Sequence, residues 1–401
     1  MELRQSDKLA GVAYDVRGPV LSEAMRLEAE GHRILRLNLG NPAPFGFEAP
    51  DEVVTDIARQ LTAAQGYSDS KGILSARRAV VSYHHAKGIA GIDVDDVWLG
   101  NGVSELITMV LQALLNDGDE VLIPAPDYPL WTAITTLSGG RPRHYLCDEA
   151  SGWLPDVDDL EAKISDRTKA LVVINPNNPT GAVYPRPLLE KLVEVARRHQ
   201  LLLLADEIYD QILYDGAEHV TLASLAPDLP CITFNGLSKA YRVAGYRAGW
   251  AVMSGPTQHA RSFIDGLNLL ANMRLCPNVP AQHGIQAALG DTDGSADLVL
   301  PGGRLLEQRD LAVSRLNGIE GVSCTTPKGA LYVFPRLDPA VHPIEDDEAF
   351  VLDFLRREHV LIGNGTGFNW PQHDHVRIVT LPAVDDLGDA LDRFARYLTE
   401  R

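Results

Sequence analysis

Apolar runs and helical periodicities alternate along residues 97–255, with Pro and Gly between them. Predicted strands are VWLGNG, EVLIP, KALVVINP, LLLLADE, CITFNG and GWAVMSG, and predicted helices include SELITMVLQALLNDG and PRPLLEKLVEVARRHQ. Uninterrupted apolar strands are typical of parallel sheets that are covered by helices on both faces. We therefore expect an α/β fold with a mostly parallel sheet.

The two ends of the chain have a different pattern. The N-terminal part predicts one helix, VLSEAMRLEAEG, and one strand, ILRLNLG. The C-terminal part predicts the strands VSCTT, ALYVFPRL, VLIGNG and HVRIVTL, with helices at DDEAFVLDFLRREH and LGDALDRFARYLTE. This order favours a smaller α+β domain. We expect residues 51–290 to form a large domain, and residues 291–401 to form the small domain together with an N-terminal segment, residues 1–50.

Composition and charge exclude several classes of protein. The 401 residues are 45% hydrophobic and 22% charged, which is typical of a globular chain and not of disorder. The 36 Lys and Arg against 54 Asp and Glu leave a net charge of −18, which disfavours binding to nucleic acid or to an anionic membrane surface. With no apolar leader and no run of roughly 18 apolar residues, we expect a soluble, cytoplasmic protein.

The four cysteines are widely scattered. Their spacing fits neither a zinc site nor a dense disulfide framework. We expect four buried, reduced thiols and no metal site.

Candidate chemistry begins in the segment NGLSKAYRVAGYRAGW, which follows a predicted strand. Lys239 lies at the strand end, where ligands collect in open α/β sheets. A desolvated lysine beside a second cation becomes a nucleophile toward carbonyl groups, and Arg247 is a candidate for that cation. The alternative is an ordinary solvated lysine.

A second candidate is Asp206, at the end of the apolar run LLLLADEIYD. Burial of an ionised carboxylate is costly without a cation or a donor, and a protonated pyridine nitrogen would be a suitable partner. The alternative is a helix N-cap. Tyr209 follows three residues later, and the turn NPNNPTG, at residues 175–181, ends another predicted strand.

The segment WLGNGVSELITMVL predicts an anion site. Val103 and Ser104 would lie in the first turn of a helix, whose free N–H groups attract an anion. The third Gly of a dinucleotide fingerprint is missing, so a single phosphate is the better interpretation. Tyr128, in APDYPLW, is an aromatic residue suited to stacking on a flat ring, or else a half-buried core residue.

Together these segments resemble the fold-type I, class I/II pyridoxal-phosphate aminotransferases over essentially the whole chain. The resemblance rests on the order NPNNPTG, ADEIY, the SK pair with Arg247 eight residues later, and the late arginine in HVRIV. The segments QGYSDSKG, PAPDYPLWTA, TFNGLSKAYRVAGYRAGW, NMRLCPNVPAQH and GTGFNWP are similar to the bacterial alanine aminotransferase branch.

The resemblance implies roles around the cofactor ring. Lys239 would bind pyridoxal 5′-phosphate covalently and move the proton between the substrate Cα and the cofactor. Asp206 would keep the pyridine nitrogen protonated, which makes the ring an electron sink. Asn178 and Tyr209 would hydrogen-bond the phenolic oxygen, and Tyr128 would stack on the ring.

The resemblance also implies how the phosphate is held. The implied ligands from one chain are Val103, Ser104, Ser238 and Arg247. Tyr67 would reach the phosphate of the neighbouring subunit, so the active protein would be a homodimer. Many relatives have a serine three residues before the lysine, whereas this chain has Gly236.

For the substrate, the resemblance assigns the α-carboxylate to Arg377, beside the backbone of Gly40 and the side chain of Asn178. An ordinary surface arginine on an edge strand is the alternative for Arg377. Arg17, with Tyr14 beside it, is our candidate for the second carboxylate of glutamate, or else only anchors its segment. The family also implies a cis peptide at Asn178–Pro179.

The expected function is a ping-pong transaminase that acts on L-alanine and 2-oxoglutarate. One alternative is an aminotransferase for a larger or specialised amino acid. Others are a lyase, decarboxylase or oxidase with the same cofactor, because geometry around Cα selects the outcome. A non-enzymatic regulator is disfavoured, since the candidate residues are all present.

Overall fold

The computed structural model describes residues 3–9, 12, 18–291 and 294–401. The N-terminal elements are α1 (Pro19–Ala29), β1 (Leu35–Arg36), α2 (Asp51–Gln60) and α3 (Leu74–Ala86). The strands of the main sheet are β2 (Val97–Asn101), β3 (Glu120–Ala125), β4 (Arg141–Asp148), β5 (Leu154–Pro155), β6 (Thr168–Ile174), β7 (Leu202–Asp206), β8 (Cys231–Gly236) and β9 (Ala248–Ser254). The helices between and after them are α4 (Val103–Leu114), α5 (Leu130–Leu137), α6 (Val157–Ala162), α7 (Arg186–His199), α8 (Arg261–Met273) and α9 (Val279–Asp291).

The main sheet, within the described residues, has eight strands in the order β2-β9-β8-β7-β6-β3-β4-β5. Strands β8, β7, β6, β3 and β4 run parallel, which confirms the mostly parallel sheet. Strand β9 is antiparallel to both of its neighbours, although all seven of its residues are buried. An apolar run therefore indicates burial on both faces, and it does not fix strand direction.

Helices cover both faces of this sheet. In β3, Val121 and Ile123 pack in one core with Leu106 of α4. Leu122, between them, packs on the other face in the core that contains Leu192 of α7. Because successive side chains of a strand point to opposite faces, one apolar run supplies both cores.

The C-terminal elements are α10 (Ala296–Val299), α11 (Arg304–Asn317), β10 (Val322–Ser323), β11 (Tyr332–Val333), β12 (Arg336–Leu337), α12 (Asp347–Glu358), β13 (Val360–Leu361), β14 (Gly363–Asn364), β15 (Val376–Val379) and α13 (Val384–Glu400). Strand β15 lies between β11 and β14 and is antiparallel to both.

The N-terminal strand lies with these C-terminal elements. Leu35 of β1 is in parallel register with Val360 of β13. Leu37 is buried in the same core as Phe354 of α12 and Phe394 of α13. The domain limits at residues 50 and 290 stay predictions.

The cysteines are free thiols, as expected. Cys147, Cys231 and Cys324 are buried, but Cys276 is only partly buried, so the expectation of four buried thiols is wrong at that position. Among the described residues, we find no helix with the length and apolar character that a membrane crossing requires.

Candidate functional site

A cavity lies at the carboxyl ends of β6, β7 and β8, beside the N-terminus of α4 and strand β15. The residues that line it and were predicted from the sequence are Gly40, Val103, Ser104, Tyr128, Asn178, Asp206, Tyr209, Ser238, Lys239, Arg247 and Arg377. They come from segments up to several hundred positions apart. Most lie just beyond strand ends, which is where the crevice of an open α/β sheet forms.

Lys239 follows the end of β8 by three residues, and its ammonium group lies inside the cavity. Its Nζ donates a hydrogen bond to the Gly40 carbonyl at 2.7 Å and lies 5.9 Å from the centre of the Tyr209 ring. The side chain is half-buried, so the alternative of an ordinary solvated lysine is wrong. An amine at this position is available to a ligand that enters the cavity.

Asp206 is the last residue of β7 and is only 4% exposed. Its Oδ2 accepts a hydrogen bond from Trp131 Nε1 at 3.1 Å, and Oδ1 accepts one from the Ile208 N–H at 3.4 Å. Burial raises the pKa of this carboxyl to about 6. Residues 207–230, all of them described, contain no α-helix, so Asp206 is not a helix cap. A cation in the cavity would stabilise its ionised form.

Two tyrosines meet beside Lys239. The hydroxyls of Tyr209 and Tyr332 are hydrogen-bonded at 2.7 Å, and both rings are buried. Gly40 lies so close to Tyr332 that a Cβ at position 40 would be 2.1 Å from the Tyr332 hydroxyl oxygen. Position 40 therefore needs glycine for reasons of space.

Arg377, in the middle strand β15, is 4% exposed, so the alternative of a surface arginine on an edge strand is wrong. Its guanidinium lies 4.2 Å from the Phe368 ring centre and 4.6 Å from the Tyr332 ring centre. Nη1 donates to Asn178 Oδ1 at 3.1 Å, and Nη2 donates to the Asn38 carbonyl. Two rings and two acceptors hold the guanidinium plane in one orientation. Such a plane is suited to a carboxylate, which it binds with two parallel hydrogen bonds.

The opposite end of the cavity is suited to an anion. Helix α4 begins at Val103, and in this fully described stretch no side chain caps its first turn. Gly102 has a φ of 79°, and a Cβ there would be 2.2 Å from Arg247 Nη2. Arg247 is held by the carbonyls of Ala244 at 2.8 Å and Asn101 at 3.3 Å. Free N–H groups, the helix dipole and a guanidinium together form a site for a phosphate group.

The remaining predictions have mixed outcomes. The Asn178–Pro179 peptide is cis, which confirms that prediction. Tyr67 is 81% exposed and is not among the residues that line the cavity. Tyr14 and Arg17 lie outside the described residues.

Sequence reasoning missed Tyr332 and Trp131. Tyr332 reaches the cavity because β11 pairs with β15, and nothing in the local pattern ALYVFP shows that pairing. Trp131 is in α5, and only its position three residues after Tyr128 links it to the site. The apolar lining residues that were also missed are Leu39, Ile107, Ile174, Ile208 and Ala244.

Many known proteins are similar to this chain in sequence and in structure. The family model described as aminotransferase class I and II matches residues 33–394. The chain is 68% identical to an alanine aminotransferase of Mycobacterium tuberculosis, over 98% of this chain and 92% of that protein. It is 59% identical to the glutamate-pyruvate aminotransferase AlaA of Escherichia coli K12, over 99% of this chain and 98% of that protein.

Among solved structures, a crystal structure of an aminotransferase from Escherichia coli superposes with a TM-score of 0.98. It is 59% identical, and the match covers 100% of this chain and 99% of that one.

Proposed function

Because this chain belongs to the class I and II aminotransferases, we propose that it moves an amino group between L-alanine and 2-oxoglutarate, with pyridoxal 5′-phosphate as its cofactor. The two relatives named alanine and glutamate-pyruvate aminotransferase support this substrate pair. The observation that carries the proposal is structural. One cavity holds an amine, a buried carboxylate, a phosphate-type anion site and an oriented guanidinium, on Lys239, Asp206, Val103 with Arg247, and Arg377.

The residues present fit this cofactor. The N–H groups of Val103 and Ser104, with Ser238 and Arg247, would hold its phosphate. The buried Asp206 carboxylate, whose pKa is raised to about 6 by burial, would gain a cationic partner in a protonated ring nitrogen. The bound cofactor would supply an aldehyde for the incoming amine and a ring that withdraws electrons.

The chain itself supplies positioning and proton transfer. Arg377 would bind the α-carboxylate that amino acids and 2-oxo acids share, so one clamp serves both half-reactions. Lys239 Nζ would then remove the proton from the substrate Cα. Asn178 and Tyr209 would hold the cofactor's phenolic oxygen. Buried apolar side chains such as Ile107 and Ile174, which line the cavity, would reduce water access to these groups.

A panel of amino acids in single-turnover half-reactions tests the substrate. We expect L-alanine and L-glutamate to bleach the cofactor absorbance fastest. Larger apolar donors should be slower by roughly 10–200-fold, because single methylene differences are worth about 1–3 kcal/mol. Alanine should give pyruvate without ammonia.

Three outcomes would contradict parts of this proposal. If purified protein shows no pyridoxal absorbance, even after the cofactor is added, the proposed cofactor is wrong. Release of ammonia with pyruvate from L-alanine is a two-electron oxidation, so together with consumption of O2 it indicates an oxidase. A fastest donor that is aspartate, branched or aromatic would contradict the proposed substrate.

We also propose that the active protein is a homodimer. Tyr67, Leu269 and Met273 are 81%, 60% and 72% exposed, and such apolar exposure is typical of an interaction surface. Arg274 Nη2 donates to the Ser70 carbonyl at 2.9 Å, so the end of α8 and the Tyr67 segment lie side by side. A second copy that covers this surface would bring its Tyr67 to the phosphate.

Mixing two variants tests whether Tyr67 acts across subunits. Tyr67→Phe should weaken cofactor affinity by roughly tenfold or more, the value of a hydrogen bond to a charged group. Lys239→Ala leaves Tyr67 intact but disables its own site. Hybrid dimers of the two variants should regain one site with normal cofactor affinity and normal turnover, measured by titration and steady-state rate. If Tyr67 acts within its own chain, mixing will restore neither.

A further inference from the structure

A buried carboxylate that takes no part in the proposed chemistry connects two walls of the cavity. Asp127 is 0% exposed. Its Oδ1 accepts a hydrogen bond from Asn369 Nδ2 at 2.5 Å, and its Oδ2 accepts one from Thr132 Oγ1 at 3.2 Å. Its backbone N–H donates to the Phe368 carbonyl at 2.9 Å. Two segments that are about 240 residues apart are thus joined through one side chain and its own backbone.

The first of these segments is the cofactor wall, residues 126–131. Tyr128 lines the cavity, and Trp131 donates to the Asp206 carboxylate at 3.1 Å. Asp127 directly precedes Tyr128 and lies four residues before Trp131, so its position affects both.

The second segment is the clamp loop, residues 365–371. It follows β14, in which Gly363 is in register with Arg377 of β15. Phe368, within the loop, packs 4.2 Å from the Arg377 guanidinium. The clamp loop therefore forms one side of the pocket that orients Arg377.

We propose that Asp127 is a positioning residue, whose hydrogen bond to Asn369 fixes the Arg377 guanidinium relative to the cofactor wall and so sets the affinity for the substrate carboxylate. This inference rests on the proposed transamination. Asp127 is not among the residues that line the cavity, and it acts through Phe368 and Tyr128.

The chemistry of the pair suits this role. Asp127 is buried, so an acceptor left without its donor is expensive there. Burial raises the pKa of its carboxyl to about 7, and its hydrogen bonds to Asn369 and Thr132 oppose that rise. Asn369 has a φ of 58°, a left-handed conformation that asparagine adopts more readily than most residues. Asparagine at position 369 is therefore suited to two tasks: it tolerates the left-handed backbone of the loop, and its amide donates the hydrogen bond to Asp127.

A second anchor on the same loop provides a matched control. The Thr366 N–H and Oγ1 each donate to the Asp347 carboxylate at 2.7 Å. Asp347 belongs to α12 and does not reach the cofactor wall. Thr366→Val removes the hydroxyl that donates to Asp347 and accepts from Asn364 Nδ2, and so two partly buried hydrogen bonds of this region, but it leaves the link between the two walls intact.

The experiment exchanges the two partners in the holoenzyme. Asn369→Asp places a second carboxylate against Asp127, and at about pH 8 it should raise the apparent Kd for L-alanine in the half-reaction by roughly tenfold. The rate at saturating L-alanine should change much less. Adding Asp127→Asn to that variant restores a donor and an acceptor in reversed positions and should return the Kd to within about twofold of the wild-type value. Thr366→Val should lower the melting temperature without changing this Kd.

The inference is wrong if Asn369→Asp lowers the melting temperature but leaves the Kd unchanged, or if the double variant regains stability without regaining affinity. Hydrogen exchange separates this failure from failure of the proposed function. In Asn369→Asp, exchange should accelerate together in residues 126–131 and 365–371, whereas in Thr366→Val it should accelerate only in the clamp loop. If no amino acid bleaches the wild-type cofactor, the proposed function fails, and joint acceleration still tests the link between the walls.

Discussion

Replacing Lys239 with alanine should abolish turnover while the protein still binds the cofactor. The Nζ of Lys239 is the amine that lies in the cavity, 2.7 Å from the Gly40 carbonyl and 5.9 Å from the centre of the Tyr209 ring. A positioned acid–base group typically contributes roughly 10²–10⁴-fold to a rate, and loss of the covalent attachment adds to that. We expect the phosphate site and Asp206 to retain the cofactor, and added amino acid to give a coloured complex that does not react further.

Single-turnover absorbance with L-alanine measures this effect directly. Lys239→Arg is the informative control, because arginine keeps the positive charge and stays protonated, so it cannot accept the proton from Cα. Both variants should be inactive if proton transfer is the role of Lys239. Near-normal rates in Lys239→Ala would show that Lys239 is not a catalytic residue. Activity in Lys239→Arg but not in Lys239→Ala would show that only the positive charge at this position is needed.

Much of the fold was predictable because a buried strand needs apolar residues, and such a run is visible in the sequence. The run LLLLAD reads as a strand covered on both faces, and β7 is one. Strand direction leaves no such trace, since β9 is buried at every residue, as are the parallel strands β7 and β8, and yet it runs antiparallel to β8. The direction of a strand depends on how the chain connects it to the previous strand and on which strands it pairs with. The local pattern of apolar residues contains neither kind of information.

The same distinction applies to the site. Lys239 and Asp206 were found because Asp206 ends one apolar strand and Lys239 follows another, and parallel topology collects the side chains at such strand ends. Tyr332 and Trp131 were not, because each reaches the site through a long-range contact: the first through the pairing of β11 with β15, the second across 75 residues to Asp206. Local periodicity predicts which face of an element is buried, but it does not predict which distant residue meets that face.

The net charge of −18 also has a different meaning once the cavity is known. Lys239, Arg247 and Arg377 all line one cavity, although acidic residues outnumber basic ones in the chain. A concave site with low-dielectric walls focuses the potential of the charges that line it. A phosphate and a carboxylate therefore meet a positive cavity inside an acidic protein, and the global charge excludes polyanionic surfaces without disfavouring small anions.

Replacing Asp206 with alanine should lower the half-reaction rate by more than about 100-fold, which corresponds to more than about 2.7 kcal/mol in the barrier. Asp206 is buried, and burial raises its pKa to about 6, so the carboxyl is still mainly ionised at neutral pH, and an adjacent cation would favour the charged form further. Reciprocally, the ionised carboxylate favours protonation of the ring nitrogen. Without it the ring stays neutral and withdraws electrons poorly from Cα.

The neighbouring residue supplies a matched control. Glu207 is also buried, with a pKa that burial raises to about 7, and its carboxylate is held by Thr221 and by the N–H of Leu222, outside the cavity. Glu207→Gln should change stability but leave the half-reaction rate nearly unaltered. Equal losses in both variants would mean that a buried negative charge near β7 matters and that its position does not.

A modified cofactor then separates charge from structure in the Asp206→Ala variant. A pyridoxal phosphate that is methylated on the ring nitrogen carries a permanent positive charge, and removal of the Asp206 side chain leaves space for the methyl group. If the carboxylate acts by keeping the ring positive, this cofactor should recover a large part of the lost rate in Asp206→Ala. If recovery is absent although the methylated cofactor binds, Asp206 acts mainly by orienting the ring, with Trp131 as its partner at 3.1 Å.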